Sequence, residues 1–435
     1  MGGGLQRRKR VLLFAGKLGY QTRSFEEAAR KLGVELAYVT DRCHELEDPW
    51  GDGAIAVNFE SPEDAAYRVL EAARNEPADG ILAIGDRPTV AAAYAARGLG
   101  IVYNHPASVE TCRNKLRMRE VLRDAGLPTP WFRSVALKPA PEPALLGITY
   151  PCVLKPMSLS ASQGVIRADS REEFLAAAER IKRLLESPDL APKQESARQL
   201  IVEEYLPGVE VAVEGLLVEG TFHALAIFDK PDPLEGPYFE ETVYVTPSRQ
   251  PQRAQEAIVR AARNAAQALG LSRGPVHAEF RVNERDVWPL ELAPRPIGGL
   301  CARALRFADR PGEMISLEEL LLQEAGGDLR EVPRRENAAS GVMMIPVPGS
   351  GIVEKVEGEK EALAVPGVTE LHVTARLGDF LAAWPEGSSY LGFLFARAET
   401  PEGVEDALRR AHGKLRFVIT PRLPVEHPAT KRMMR

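Results

Sequence analysis

Strand and helix patterns alternate through the first 110 residues. Val11-Leu12-Leu13-Phe14-Ala15-Gly16 is a continuous apolar run, the pattern of a strand buried on both faces. A helix pattern follows over 24–32. Then come strands over 34–40 and 53–59, a helix after Ser61-Pro62-Glu63, a strand over 80–84 and a helix over 88–97. Serine before Pro-Glu suits a helix start, because the hydroxyl can take a free amide and proline tolerates the first turn. Buried strands that alternate with helices predict a parallel sheet with helices on both faces.

The pattern then changes. Residues 114–125 predict an amphipathic helix closed by Gly126, and the proline-rich stretch 138–143 predicts a linker or surface loop. Strands are expected over 151–156 and 164–168, a helix over 170–186, and a polar, mobile stretch over 187–198. Strands over 199–206 and 209–218 follow, with Glu219-Gly220 turning tightly into 221–228. A helix over 252–269 precedes a hairpin, 276–282 with 287–292, around Asn283-Glu284-Arg285-Asp286. From about 338 a small mixed α/β module ends in a strand (390–396), a helix (401–415) and a strand (416–420).

Charge and cysteine usage exclude several classes. A net charge of −6 argues against a general binder of nucleic acid or anionic membrane. The basic run Arg7-Arg8-Lys9-Arg10 reads as a solvated tail. No apolar run reaches membrane-spanning length, and Met1-Gly2-Gly3-Gly4 lacks a signal-peptide stretch. Cys43, Cys112, Cys152 and Cys301 lie far apart with no metal-type pair, which fits free thiols in the cytoplasm. Cys152 reads as core. Cys301 is either core or a reactive thiol.

Phosphate binding needs cations and free amides aimed at one place. Lys155 ends the apolar strand Val153-Leu154-Lys155-Pro156, and the loop 157–164 after it is built of small residues, Ser158, Ser160 and Gly164 among them. Lys115 begins the earlier helix. Each lysine alone reads equally well as a solvated surface residue. Two acids sit on the late hairpin, Glu279 beside His277 and Arg281, and Glu291 before Ala293 and Arg295. Counting from the turn sets 279 opposite 290, so a single bulge would bring Glu291 to face Glu279. Two facing carboxylates repel unless a cation lies between them, and Mg²⁺ favours one or two carboxylates plus phosphate oxygens. The alternative is an exposed face with salt bridges to Arg281 and Arg295.

Taken in order, these pieces resemble the ATP-grasp superfamily. The set is Asn114-Lys115, then Pro151-Cys152-Val153-Leu154-Lys155-Pro156 and a small-residue loop, then Val202-Glu203-Glu204-Tyr205-Leu206-Pro207-Gly208 with Glu210. His277-x-Glu279 and Glu291-x-Ala293-Pro294-Arg295-Pro296 complete it. The resemblance implies an α/β and α+β chain of three parts. These are a Rossmann-like pre-ATP-grasp domain (1–110), a two-lobed ATP-grasp domain (111–330, small lobe about 130–205) and a C-terminal α/β module (331–435) packing on the core. It further implies that Lys115, Lys155 and the loop residues Ser158, Ser160 and Gly164 meet ATP phosphates. Glu203, Glu204, Tyr205 and Leu206 would form the hinge that holds adenine by backbone groups, with Glu210 near the ribose. Glu279 and Glu291 would hold Mg²⁺ or Mn²⁺, and Arg295 would stabilise charge on the substrate carboxylate or acyl phosphate. Ala293 stands where many members carry Asn as a ligand, so water or a backbone carbonyl must fill that place.

Arg295-Pro296-Ile297-Gly298-Gly299 and the C-terminal module look most like the carnosine-synthase and bacterial L-amino-acid-ligase type. That implies a carboxylate–amine ligase acting on small molecules, amino acids first, with no nucleic acid or membrane partner and with a homodimer allowed. His277, Glu240, Glu241 and Gly298 are the substrate-side candidates. The stretch Asp229-Lys230-Pro231-Asp232 lines the acceptor pocket or is a solvated loop. The competing expectations are biotin-carboxylase-like or purine-biosynthetic chemistry and a non-catalytic ATP-binding protein. The biotin-carrier motif, a lysine flanked by methionines, is absent from the chain.

Overall fold

The computed structural model describes residues 7–16, 20–41, 54–139, 141–142, 147–157, 159–187, 199–310 and 312–421. Cys43, Ser158 and the stretch 188–198 expected to be mobile lie outside the described residues.

The N-terminal alternation folds into a four-stranded parallel sheet. Its order is Ile55–Ala56, Glu35–Thr40, Arg10–Ala15, Gly80–Ile84. Val11, Leu13 and Ala15 enter one apolar cluster, while Leu12 and Phe14 enter another on the opposite face. That is the period of two expected of a strand covered on both sides. The strand expected over 53–59 is confined to Ile55–Ala56. Ser61 precedes the helix Pro62–Ala73 but makes no side-chain cap bond; Pro62 and the acids Glu63 and Asp64 occupy the first turn instead. The basic run is solvated only at its start: Arg7 and Arg8 are exposed, Lys9 is half-buried and Arg10 is buried. Arg7 meets Asp79 at 2.6 Å and Lys9 meets Asp328 at 2.5 Å. Arg10 is buried as the first residue of its strand and pairs with Glu76 and Glu35. These side chains find carboxylates at neighbouring element ends, so they pin the strand's entry.

A helix not foreseen, Pro106–Arg113, leads into Lys115–Asp124, where Asn114 caps by accepting the Arg117 amide at 3.1 Å. A four-stranded antiparallel sheet follows, in the order Phe132–Ala136, Gln199–Glu204, Cys152–Pro156, Ile166–Ala168. The helix Arg171–Leu185, capped by Ser170, packs its Phe174, Ala178 and Ile181 on that sheet.

The centre is an eight-stranded antiparallel sheet. It runs from Val287–Ala293 through Gly274–Val282, Val209–Val218, Thr221–Asp229 and Val243–Thr246, and on to Ala339–Ile345, Gly392–Ala398 and Val368–Val373. Strands from 339 onward continue this sheet. Val243 pairs with Met343, and Thr246 with Ser340. The helices Gln252–Ala268 and Pro401–His412 cover the sheet at its two ends. The C-terminal part also reaches back over the loop after Lys155. Trp384 Nε1 donates to the Ala161 carbonyl at 3.2 Å, the Gly164 amide donates to the Pro385 carbonyl at 2.9 Å, and Arg180 pairs with Glu386. Among the described residues no helix is long and apolar enough to cross a membrane.

Candidate functional site

A cleft of about 520 Å³ opens between the two antiparallel sheets. Lys155 and Lys115 come to it from different elements, one from a strand end and one from the first turn of a helix. Lys155 Nζ lies 2.6 Å from Glu203, while Lys115 Nζ donates to the Leu159 carbonyl at 2.9 Å and lies 3.3 Å from Glu291. Each ammonium therefore has protein acceptors that a phosphate oxygen could replace. Ser160, Ala161 and Ser162 line the same cavity. Gly164 does not. Its amide is committed to Pro385, and a Cβ there would come within 2.9 Å of Pro156, so its role is to let the loop turn close to the strand.

Glu203 was expected to act through its backbone, and its side chain proves to be an anchor. Arg119 donates to it through Nε at 2.5 Å and Nη2 at 3.3 Å, and also holds the Pro289 and Leu290 carbonyls at 2.7 and 3.0 Å. Burial works against the Glu203 carboxylate, yet Arg119 and Lys155 overcome it and hold the group at about 2. Arg119 thus ties the small sheet to the hairpin. It was not picked out from the sequence, although its place four residues after Lys115 on one helix was the available signal. At the hinge, Glu204 and Tyr205 donate their amides to the Trp131 and Pro151 carbonyls. The Leu206 amide has no partner among the described residues, and Glu204, Tyr205 and Leu206 line the cleft.

Glu279 faces Glu291 across the hairpin, and the register shifts between Glu279 and Phe280, so the expected bulge is present. Both line the cleft. Burial opposes ionisation of Glu279, but Lys230 and His277 hold it well below its ordinary range. His277 stands between two carboxylates, with Nδ1 2.9 Å from Glu214 and Nε2 3.4 Å from Glu279. Burial disfavours its charge, and the two carboxylates still raise it to about 9, so it sits as an imidazolium. Glu214, absent from the sequence candidates, accepts the Ile297 amide at 2.8 Å with its other oxygen. It thereby fixes the turn that follows Arg295.

Glu210, expected near a ribose, is occupied on both oxygens: Lys230 lies 2.7 Å away and Arg281 2.8 Å. Glu241 lines the cleft, bonded to Lys230 and to the Tyr244 hydroxyl, and burial together with the nearby Glu279 raises it. Lys230 is therefore neither solvated nor in a loose loop. Burial disfavours its charge, but Glu210, Glu241 and Glu279 raise it well above its ordinary value. Glu240 is not among the cleft residues, and burial raises it too. Gly298 is at the cleft, and so is Cys301, whose thiol burial pushes above its ordinary range, which removes the reactive reading.

The strand carrying Glu291 ends at Ala293, two residues short of Arg295. Arg295 pairs with neither hairpin glutamate. Its Nε and Nη2 fork onto Asp86 at 2.8 and 3.1 Å, and Nη1 donates to the Pro296 carbonyl at 3.0 Å. Asp86 follows the parallel strand Gly80–Ile84, at the carboxyl end where open α/β sheets place their ligands. Burial works against its carboxylate, but Arg295, with Arg113 and Lys115 behind it, holds it at about 2. Its position at that strand end was the signal the sequence offered.

The lining of the cleft suits a nucleotide and a divalent cation by its chemistry. The cavity falls in the usual range for small-molecule sites, about 300–1,000 Å³. Val153 from the small sheet, Val165 just before its strand Ile166–Ala168 and Leu290 from the hairpin give apolar walls near the hinge. Two ammonium groups stand beside the loop, and a facing carboxylate pair suits a hard divalent cation. Thr374, Asp379, Tyr390 and Phe393 close the far side from the C-terminal part.

Three regions of the chain match known protein families. Residues 25–101 match the ATP-grasp N-terminal domain family and residues 148–304 an ATP-grasp domain family, together just over half the chain, and residues 343–420 match the L-amino acid ligase C-terminal domain 2. An uncharacterised protein, y4rH, of Sinorhizobium fredii is 26% identical over 322 residues, 73% of this chain and 63% of that protein. The alanine–anticapsin ligase of Bacillus amyloliquefaciens is 30% identical over 219 residues, 47% of this chain and 46% of that protein. The chain thus spans between about half and under two thirds of these curated relatives. The crystal structure of an L-amino acid ligase from Bacillus licheniformis superimposes with a TM-score of 0.77 at 25% identity, over 95% of this chain and all of that one. Matched in chain order on this fold, residues 25–101 and 148–304 carry the N-terminal and central domains of the ATP-grasp family.

Proposed function

We propose that the chain is an ATP-dependent carboxylate–amine ligase that joins amino acids through an acyl phosphate, with release of ADP and phosphate. The observation that carries this reading is the convergence of Lys115, Lys155, the Glu279–Glu291 pair and Arg295 on one cleft. The match of the C-terminal part to the L-amino acid ligase domain favours an amine acceptor over bicarbonate. We also propose the boundaries 110/111 and 330/331 for its three parts.

Bound Mg-ATP supplies the phosphoryl group that turns the carboxylate into a mixed anhydride, which the amine then opens with loss of phosphate. The chain's own residues do the rest. Lys155 and Lys115 exchange Glu203 and Leu159 for phosphate oxygens and draw the polyphosphate across the cleft. Glu279 and Glu291 would hold the divalent ion, which would offset the negative charge of the phosphates. Arg295, aimed by Asp86, grips the carboxylate by its remaining N–H groups as charge builds there. The C-terminal wall keeps bulk water from the anhydride.

The test is ADP release with pooled amino acids, compared with bicarbonate plus biotin and with no acceptor, followed by mass spectrometry of the product. Amino-acid-dependent ADP release with a condensed product is expected. Turnover that needs bicarbonate, or ATP binding without any turnover, would replace this reading with one of its competitors.

A further inference from the structure

Three carboxylates converge beside the hairpin. Glu210, Glu241 and Glu279 each offer an oxygen within 4.8 Å of the others, a donor set that suits a divalent cation. The space among them is already filled. Lys230 Nζ lies 2.7 Å from Glu210, 2.5 Å from Glu241 and 3.2 Å from Glu279. The ammonium donates to Glu210 and Glu241, and Glu279 completes the cluster as an ion-pair partner. The lysine is placed by strong local constraints. It directly follows the strand Thr221–Asp229, its amide donates to the Glu210 carbonyl at 3.3 Å, and its ammonium stands 5.1 Å from the centre of the Tyr244 ring. Asp229, one residue earlier, is fixed by the Ser248 hydroxyl and the Arg249 amide at 2.5 and 2.7 Å. The side chain is almost wholly buried, so it has no solvated rotamer to fall back on.

The other partners of the cluster are also in place: Arg281 on Glu210, the Tyr244 hydroxyl on Glu241 and His277 on Glu279. Ala293 adds an independent observation. It is buried two residues beyond Glu291 and brings no side-chain ligand atom to the hairpin. The other carboxylates grouped with Glu279 are Glu210 and Glu241, and Lys230 already occupies that group.

We propose that Lys230 is a resident cation, which holds Glu241 and Glu279 toward the cleft and keeps a divalent ion out of the Glu210–Glu241–Glu279 cluster. The chain then has one divalent site, on the Glu279–Glu291 pair. This rests on the reading of that pair as the metal site given above, but not on the identity of the substrates. Lys230 acts through the glutamates it positions.

The experiment counts Mn²⁺ per chain by electron paramagnetic resonance, on the full chain with and without a non-hydrolysable ATP analogue. Wild type is expected to bind one Mn²⁺ with the analogue. Lys230→Ala opens the cluster and is expected to bind an additional Mn²⁺ even without nucleotide. Lys230→Met fills the space with an apolar chain and gains none. Two Mn²⁺ in the wild type would overturn the proposal, and so would a folded Lys230→Ala whose Mn²⁺ count equals that of wild type. Should Lys230→Ala fail to fold, the wild-type count alone decides. Failure of amino-acid ligation would leave the Mn²⁺ counts untouched, so the two readings fail separately.

Discussion

Replacing Asp86 by Asn tests how the cleft is aimed. Arg295 has five N–H donors. Two go to Asp86 and one to the Pro296 carbonyl, which leaves two for a ligand. Asn keeps the shape of Asp but can accept through only one atom. Its amide nitrogen would face another donor, so the guanidinium must swing away or lose its fork. The charge loss can be sized. A carboxyl held at about 2 instead of its ordinary 3.8 is favoured as the anion by roughly 2.5 kcal/mol. Because the folded value is lowered, this contribution is complete above pH 3.8 and disappears as the pH falls through 2. Asp86→Asn should therefore cost about 2–3 kcal/mol equally at pH 6 and pH 8, with the gap to wild type closing only in acid. Turnover should fall at least about tenfold, or 1.4 kcal/mol in barrier, while ATP affinity changes by less than about threefold. Asp86→Glu keeps the charge and should recover part of the turnover. Urea denaturation, calorimetry with ATP and phosphate release read the three quantities. Full turnover in a destabilised Asp86→Asn would show that Asp86 only ties the parallel sheet to the cleft. A parallel loss of ATP affinity would assign Arg295 to the nucleotide.

Three further changes address the other walls of the cleft. Arg295→Lys keeps the charge and loses the fork, so turnover should drop about tenfold or more with ATP affinity nearly intact; steady-state kinetics beside calorimetry checks this, and equal losses would make the arginine part of the metal scaffold. Lys155→Met should weaken ATP binding by roughly 1.5–3 kcal/mol without unfolding, because Glu203 keeps Arg119, and unchanged affinity by calorimetry would remove Lys155 from the phosphate site. Glu291→Gln should lower Mn²⁺-dependent turnover far more than Glu284→Gln, whose side chain is exposed at the turn; matched effects in a metal titration would mean that the hairpin face is misassigned.

Local pattern carried much of this arrangement. The run Val11 to Ala15 announced a strand covered on both faces, and its odd and even side chains do divide between two cores. Counting back from the turn set 279 opposite 290, one residue short of Glu291, and the register shift beside Glu279 closes that gap. Pairings across the chain were not legible, because nothing near Arg295 in sequence names a partner 209 residues away. Glu214 reads only as an inward position of a buried strand until the next strand sets His277 against it. Lys230 is a lysine after a strand, and its three partners come from the segments around 210, 241 and 279. Ser61 had the right neighbours for a cap, yet its hydroxyl does not bond the helix, since local propensity states what an end can accept and packing decides the backbone angle there.

The continuous central sheet limits how this protein can be cut. Val243–Thr246 meets its neighbour Thr221–Asp229 at a single paired position, Asp229 with Val245, and takes its long partnership from Ala339–Ile345. A truncation ahead of residue 339 would strip that partner and turn a buried strand into an edge. Val243, Tyr244 and Val245, now at most 2% exposed, would meet solvent beside a row of open amides and carbonyls. Such an edge recruits any strand that fits, usually another copy of the same chain. The shortened protein should therefore form aggregates, and a chimera that imports a foreign C-terminal half must match the Val243–Met343 register as well as the helix packing. The piece that can be exchanged is thus the half-sheet together with its partner strand.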